Sequence, residues 1–242
     1  MSEQVETGKY RPELGKYCDH TVLKAYTKRE VVEAICDEAI KYHTASVCVN
    51  PVHVPLVKEK LKGTGIKTCC VIGFPLGANT TATKAFETQD AIGNGAEELD
   101  MVINIGALRD GDNETVYRDI KGVVDAAAGK AVVKVIIETG YLTNEEIVTA
   151  SELCVKAGAD YVKTSTGFSP GVATVEDVRL IKQTVGNAAK VKASAGIKTQ
   201  EKALMMIEAG AERLGVSSTM QIVTGDDNAP SASGSNKEPI KM

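Results

Sequence analysis

Three segments of the chain, GAEELDMV (95–102), GADYVKTS (158–165) and GAERLGVS (210–217), align without gaps and indicate the fold. Each begins with a Gly-Ala pair, which is typical of a helix end, and continues into a short apolar run that predicts a β-strand. A unit that leaves a helix and enters a strand and recurs along one chain is typical of alternating β and α elements, whose strands run parallel.

The same alternation extends over most of the chain. Strands are predicted over 17–23, 45–50, 67–74, 98–104, 131–138, 160–165, 190–194 and 213–217. Helices are predicted over 27–42, 52–61, 80–93, 114–127, 144–157, 175–184 and 200–208, with Thr143, Thr174 and Thr199 as N-caps. Eight strands and about 250 residues are typical of an α/β protein with a closed (β/α)8 TIM barrel. The alternative is an open doubly wound sheet, which usually has a glycine-rich turn after its first strand, where this chain has KAYT (24–27).

Both ends of the chain lie outside this alternation. Residues 1–16 are predicted to form an N-terminal arm or short helix over the bottom of the barrel, and residues 17–224 the single barrel domain. The last stretch, GDDNAPSASGSNKEPIKM (225–242), is polar and rich in Gly, Pro and Ser, and we predict that it is disordered.

Composition excludes several classes of function. The chain has 43% apolar and 25% charged residues and a formal net charge of -4, which argues against nucleic-acid binding. No stretch reaches the roughly 18 apolar residues of a membrane span, and the polar N-terminus does not resemble a signal peptide, so we expect a cytoplasmic protein. Six scattered cysteines without a C-x-x-C pair predict buried reduced thiols, and the three histidines add no ligand spacing, so no metal site is expected.

Charged residues occupy equivalent positions in the three aligned segments. The sixth position holds Asp100, Lys163 and Gly215, on the predicted strands four, six and eight. Because side chains alternate between the faces of a strand and alternate barrel strands share an interior layer, these positions should meet near the C-terminal mouth. A carboxylate and an ammonium facing a glycine predict a substrate cavity.

A second repeat places another lysine nearby. VKTSTG (162–167) and VKASAG (191–196) share the pattern V-K-x-S-x-G, which puts Lys192 on strand seven as Lys163 is on strand six. Two neighbouring ammonium groups and partial burial both disfavour protonation, and a neutral lysine is a nucleophile. The alternative is that the lysines only bind an anion or pair with a carboxylate. Lys134 does not lie in such a repeated motif, and the sequence does not assign it a role.

The loops after strands six to eight predict an anion site. They read STGFSPG (165–171), SAGIKT (194–199) and GVSST (215–219), and such small residues let backbone N–H groups approach a phosphate. The alternative is that they are only tight turns. The candidate phosphate-binding residues are Gly167, Gly196, Lys198, Gly215, Ser217 and Ser218.

Seven motifs in order resemble the deoxyribose-phosphate aldolase family, over about residues 12–220. They are CDHTVL (18–23), ASVCVNP (45–51), VIGFPLGANTTATKAFET (71–88), ELDMVINIGAL (98–108), VKVIIETG (133–140), YVKTSTGFS (161–169) and VKASAGIKT (191–199). The resemblance implies a class I aldolase with a (β/α)8 barrel that reversibly cleaves 2-deoxy-D-ribose 5-phosphate to D-glyceraldehyde 3-phosphate and acetaldehyde. It implies no cofactor and no metal, a sugar phosphate as the small-molecule partner, and allows a homodimer.

The resemblance also implies roles for four residues. Lys163 would form the Schiff base, and Lys192 would be the second cation that disfavours protonation of Lys163. Asp100 would move protons through a bound water, supported by hydrogen bonding from Asp19. Cys48 would lie near the site as a packing residue.

The chain departs from the family pattern at three places. Ala195-Gly196 stands where the family often has two glycines, Lys198 stands where an arginine is common, and Pro170-Gly171-Val172 differs from the usual Thr-Gly-Gly. Because lysine lacks the bidentate fork of arginine, Lys198 is expected to alter phosphate affinity rather than the reaction. Two other functions are considered: another Schiff-base barrel enzyme, such as a transaldolase-like aldolase, and a phosphate-binding barrel without turnover.

Overall fold

The computed structural model describes residues 7–235. Its strands are β1 Cys18–Thr21, β2 Ser46–Val49, β3 Lys67–Ile72, β4 Glu98–Val102, β5 Val132–Ile136, β6 Tyr161–Lys163, β7 Lys190–Ser194 and β8 Arg213–Val216. Its α-helices are α1 Arg29–Tyr42, α2 Val54–Lys60, α3 Thr81–Gly93, α4 Ile105–Arg109, α5 Asn113–Ala127, α6 Asn144–Ala157, α7 Val175–Val185, α8 Gln200–Glu208 and α9 Thr219–Thr224.

The eight strands close into one parallel barrel. Each strand pairs with the next in chain order, and β8 pairs with β1 through Asp19 and Gly215. The predicted (β/α)8 barrel is therefore confirmed. Every observed strand lies within its predicted range, because the apolar runs and the turns that bound them mark the strands well.

The apolar core lies between the barrel and the surrounding helices. Outward-facing strand residues such as Val47, Leu99, Val135 and Val191 are fully buried there. Burying one such side chain contributes about 1.5–3 kcal/mol relative to its exposure. Because the outer layer supplies this stabilisation, the inward strand positions are available for polar side chains.

The three predicted N-caps are confirmed. The hydroxyl groups of Thr143, Thr174 and Thr199 accept hydrogen bonds from the backbone N–H groups near the starts of α6, α7 and α8. Thr143 also forms a capping box with Glu146. A cap of this kind is worth about 1 kcal/mol. The caps fix where the loops after β5 to β7 end, and these loops surround the barrel mouth.

Two helices were not predicted, α4 and α9. Each is only one or two turns long, which is too short for a 3.6-residue periodicity to be recognised in the sequence. Both follow a strand directly at its C-terminal end. They therefore form part of the mouth of the barrel rather than its outer layer of long helices.

At the N-terminal end of the chain, Pro12–Tyr17 forms a 3₁₀ helix directly before β1. It packs on the end of α1, because a Cβ atom on Gly15 would approach the Tyr42 carbonyl oxygen to 1.9 Å. Residues 1–6 of the predicted arm lie outside the described residues. Within residues 7–235, none of the helices has the length and hydropathy that crossing a membrane requires.

The structure describes residues 225–235, the first part of the predicted tail. A 3₁₀ helix covers Ala232–Ser235, and the Ala232 N–H donates a hydrogen bond of 2.8 Å to Glu38 Oε1 on α1. Gln221 on α9 donates to the Ala229 carbonyl. A polar composition predicted disorder, but here the polar groups have bonding partners on the barrel. Residues 236–242 of the predicted tail lie outside the described residues.

Candidate active site

A cluster of charged side chains fills the interior of the barrel. The inward positions of β1, β4, β5, β6, β7 and β8 supply four cations and three carboxylates within the described part of the chain. Six of the seven are buried, and Arg213 is partly buried. We call them the charged cluster: Asp19, Glu98, Asp100, Lys134, Lys163, Lys192 and Arg213.

Asp100 is the centre of this cluster. Its Oδ2 accepts hydrogen bonds from Lys163 Nζ at 2.7 Å and Lys192 Nζ at 2.6 Å, and its Oδ1 accepts one from Lys134 Nζ at 2.8 Å. Burial alone would raise the pKa of Asp100, but the three ammonium groups hold it well below the usual range. Asp100 is therefore an ionised carboxylate in contact with three amines.

Lys192 is held as a cation. Burial would lower its pKa, but the carboxylates of Asp100 and Asp19 outweigh this and raise the pKa above its ordinary value. Lys163 and Lys192 are register partners on β6 and β7. Because their nitrogens lie 2.7 and 2.6 Å from one Asp100 oxygen, the two nitrogens are at most about 5.3 Å apart. The two lysines thus point into the barrel together, as their repeated motif predicts.

Gly215 provides space for the lysine beside it. A Cβ atom on Gly215 would lie 3.1 Å from Lys192 Cε and 2.8 Å from the Ser194 Cβ. The aligned segments place Asp100, Lys163 and Gly215 on the inner face, and in the structure all three are there. A larger residue at 215 would push Lys192 away from Asp19 and Asp100.

Three members of the charged cluster were not identified as site residues from the sequence. Arg213 Nη1 lies 2.6 Å from Asp19 Oδ1 and 3.0 Å from Glu98 Oε2, and Lys134 Nζ lies 2.7 Å from the same Glu98 oxygen. Burial raises the pKa of Asp19, but Lys192, Lys134 and Arg213 lower it further than burial raises it. The strand alternation carried a signal for them, since Glu98 and Arg213 lie two residues before Asp100 and Gly215.

A cavity of about 730 Å³ opens above Lys163 at the C-terminal mouth. Lys163 lines this cavity, whereas Lys134, Lys192 and Asp100 lie behind it. Lys24, which the sequence analysis missed, also lines the cavity, with its Nζ 5.2 Å from the centre of the Phe168 ring. The structure brings to this cavity all six candidate phosphate-binding residues: Gly167, Gly196, Lys198, Gly215, Ser217 and Ser218.

The loop after β7 has an unusual backbone. Ala195 has φ 75° and Gly196 has φ 76°, both in the left-handed region. For a residue with a Cβ atom this conformation costs about 1–2 kcal/mol, which explains why a glycine would suit position 195. The departure from the family pattern therefore adds local strain to the loop.

A buried glutamate holds the loop after β6. Glu138 is 1% exposed, and its carboxylate accepts hydrogen bonds from Thr166 Oγ1 at 2.5 Å, the Thr166 N–H at 3.2 Å and Ser169 Oγ at 2.9 Å. Its own backbone is left-handed, with φ 60°. No pattern in the sequence marked Glu138, because its partners lie 28 to 31 residues further along the chain.

Among the residues that the structure describes, two buried groups of side chains have ligand atoms close enough together for a metal ion. They are Cys48, Cys69 and Asp100, and Asp19, Cys69 and Glu98. In both, the carboxylates already face ammonium groups, and Lys134 Nζ lies 3.3 Å from Cys69 Sγ. Burial also raises the pKa of Cys69 well above the usual value, so its thiolate is disfavoured. The carboxylate and thiol groups already bind the lysine ammonium groups, and a metal ion would have to displace those ammonium groups.

Active sites of (β/α)8 enzymes lie at the C-terminal mouth, where this chain has paired lysines below an open cavity. The fold and the site together define a barrel enzyme with a lysine–carboxylate centre. The chain belongs to the DeoC/LacD family aldolases, whose family model matches residues 14–224. It is an aldolase, a carbon–carbon lyase.

Relatives and solved structures agree with this family. A deoxyribose-phosphate aldolase of Bacillus cytotoxicus is 59% identical over 214 residues, which are 88% of this chain and 96% of that protein. An aldolase named QR15, whose structure has been solved, has 44% sequence identity to this chain and a TM-score of 0.83. The match covers 87% of this chain and 94% of the QR15 chain. The solved structure of deoxyribose phosphate aldolase from Aeropyrum pernix has 32% sequence identity to this chain and a TM-score of 0.82. The match covers 88% of this chain and 90% of that chain.

Proposed function

We propose that the chain is a deoxyribose-phosphate aldolase of class I. It reversibly cleaves 2-deoxy-D-ribose 5-phosphate to D-glyceraldehyde 3-phosphate and acetaldehyde, with Lys163 as the Schiff-base residue. One observation carries the proposal: Lys163 lines the cavity while its nitrogen shares an Asp100 oxygen with the buried cation Lys192. The 59% identity to a protein of that name supports the choice of substrate.

The charge balance of the cluster supports Lys163 as the nucleophile. With all groups ionised, four cations face three carboxylates, and an unbalanced buried charge is costly. Arg213 does not lose its proton, and the carboxylates raise the pKa of both Lys134 and Lys192. Lys163 is the remaining amine of the cluster, and it is the one that lines the cavity, where a substrate can reach it.

The reaction follows from a neutral amine at this position. Lys163 Nζ adds to the aldehyde carbon C1, the hydroxyl group so formed takes up a proton from an acid–base group of the site and leaves as water, and a protonated imine remains. The bond between C2 and C3 then breaks: its electrons move toward the imine to give an enamine, and the proton of the C3 hydroxyl passes to a base. D-Glyceraldehyde 3-phosphate leaves, the enamine is protonated at C2, and water releases acetaldehyde and the free lysine.

Asp100 is the proposed proton carrier, and Asp19 supports it. Asp100 Oδ2 lies 2.7 Å from Lys163 Nζ, close enough to exchange protons with the amine directly or through a water molecule. Positioned acid–base groups of this kind typically contribute about 10²–10⁴-fold. Asp19 accepts a hydrogen bond from Lys192, and this keeps Lys192 in place.

The phosphate group of the substrate is assigned to the loops after β6, β7 and β8. Gly167, Gly196, Ser217 and Ser218 offer backbone N–H groups there, and Lys198 adds positive charge. Binding energy from this remote group orients the sugar above Lys163. The absence of the arginine fork at position 198 predicts weaker phosphate binding than in relatives with arginine.

Reductive trapping tests the Schiff base. Borohydride added with acetaldehyde should attach a stable ethyl group to Lys163, and peptide mass mapping would locate this label. The variant Lys163→Met should not be labelled. A label on another lysine, or no label, would contradict the mechanism. Product analysis with acetaldehyde as the donor separates this activity from a transaldolase-like reaction, and a barrel that only binds phosphate would give neither label nor product.

Three predictions from the sequence stand beside this proposal. We expect a cytoplasmic location and no nucleic-acid partner, and the resemblance allows a homodimer. The Aeropyrum pernix relative has been described as a tetramer, and that description applies to that protein.

A further inference from the structure

One wall of the cavity is formed by residues that lie beyond the part of the chain matched by the family model. The family model ends at residue 224, but Ser231 and Ser233 line the cavity together with Ser217 and Ser218. We call residues 226–233 the tail segment. Its position beside the proposed phosphate loops indicates a role that the matched part of the chain does not supply.

The tail segment is held against the barrel by contacts with two helices. After α9 the chain turns at Gly225, whose φ of 71° lies in the left-handed region. Gln221 on α9 donates a hydrogen bond to the Ala229 carbonyl, and the Ala232 N–H donates one to Glu38 Oε1 on α1. The other Glu38 oxygen, Oε2, is 2.8 Å from His20 Nε2 on β1. The tail segment is thus tied to the first strand through the same carboxylate.

Two hydroxyl groups of the tail segment meet a single carbonyl group at the cavity. Ser231 Oγ and Ser233 Oγ lie 3.0 and 3.1 Å from the Ser217 carbonyl oxygen, and 2.7 Å from each other. A carbonyl oxygen has two lone pairs and can accept from both hydroxyls. Because the peptide unit is planar and trans, fixing the Ser217 carbonyl also fixes the N–H of Ser218.

We infer that the tail segment forms one side of the phosphate pocket, and that Ser231 and Ser233 are positioning residues for a phosphate monoester. By holding the Ser217–Ser218 peptide they preorganise a backbone donor of the loop after β8. They thereby favour phosphorylated over unphosphorylated sugars. The inference rests on the proposed function, since it names the determinant of phosphate recognition at the same site.

The double variant Ser231→Ala/Ser233→Ala tests this inference. We would measure kcat and KM for 2-deoxyribose 5-phosphate and for unphosphorylated 2-deoxyribose. Loss of two neutral hydrogen bonds should lower the ratio of the two kcat/KM values by about 5- to 30-fold, mainly through KM of the phosphorylated sugar. Inhibition by inorganic phosphate should weaken by a similar factor. The matched control is Thr149→Ala, which removes an exposed hydroxyl that donates to the Glu145 carbonyl on α6, away from the cavity.

A pair of truncations gives a second test. A chain that ends at Gly225 should lose the same preference for phosphate relative to a chain that ends at Ser235, because the comparison isolates residues 226–235. An unchanged preference and unchanged phosphate inhibition in both tests would overturn the inference. Failure of the proposed function would look different, because the unaltered chain would then cleave neither sugar, and calorimetry with inorganic phosphate would still report on the pocket.

Discussion

Replacement of Lys192 by methionine tests the link between the two lysines directly. Methionine keeps most of the length of the unbranched side chain but removes its charge, so the cluster then has three cations and three carboxylates. Two charges at most about 5.3 Å apart interact by at least about 3 kcal/mol at an effective dielectric constant of about 20, and by at least about 0.8 kcal/mol in bulk water. Because Lys192 is fully buried, the larger figure applies.

The expected consequence is a shift in the pH profile. Without the second cation, the protonated form of Lys163 gains about 3 kcal/mol, which corresponds to about two pH units. The rate of imine formation at neutral pH should fall by about 100-fold and recover as the pH is raised. The measurement is the pH dependence of kcat/KM together with the rate of borohydride trapping with acetaldehyde.

Two control variants separate charge from packing. Lys192→Arg keeps the cation and should keep the profile close to its original pH, although its bulk will lower the rate. Lys84→Met removes another fully buried lysine, which pairs with Asp119 away from the cluster, and should lower stability without shifting the profile. If Lys192→Met retains normal turnover at pH 7 with an unshifted profile, the second cation does not activate Lys163.

Three further outcomes are expected. Glu138→Gln should raise KM for the phosphorylated sugar by about 10-fold, because the loop at Thr166 loses a charged acceptor, and steady-state kinetics would show whether it does. Urea unfolding should show full stability above about pH 4 and a loss of about 1.4 kcal/mol per pH unit for each of Asp19 and Asp100 below it. The reason is that their pKa values are depressed in the folded state, so protons bind the unfolded chain first; a flat profile from pH 5 to pH 3 would contradict this. EDTA should leave activity intact, and its loss with rescue by a divalent ion would exclude the lysine mechanism.

The fold was predictable because barrel strands are short, apolar and regularly spaced. The observed β7 has the bounds that were predicted from its sequence, and the predicted starts of α6, α7 and α8 follow from their threonine caps. The short helices α4 and α9 were missed because one or two turns leave no periodicity. Composition predicts disorder for residues 225–242 because it reports the lack of an apolar core, whereas the hydrogen-bond partners that residues 225–235 have on the barrel leave no signal in it.

The candidate site was only partly predictable, for a related reason. Asp100, Lys163 and Lys192 were found because the repeated segments place them at equivalent positions. Glu138 acts on a loop 28 residues away and has no local signal. The role of Lys134 was not predicted because its side chain also contacts Asp19 on β1, and β1 becomes its neighbour only when the barrel closes.

The charge balance explains why so many charged groups can be buried in this barrel. A buried ion pair rarely adds stability, since desolvation offsets most of the attraction. The cluster persists because the apolar outer layer carries the fold, and because each carboxylate touches at least two cations, so that no single charge is left alone. Among the amines of the cluster, Lys163 is the one that lines the cavity. The ion pairs that hold Lys134 and Lys192 behind the cavity therefore leave Lys163 as the amine that a substrate can reach.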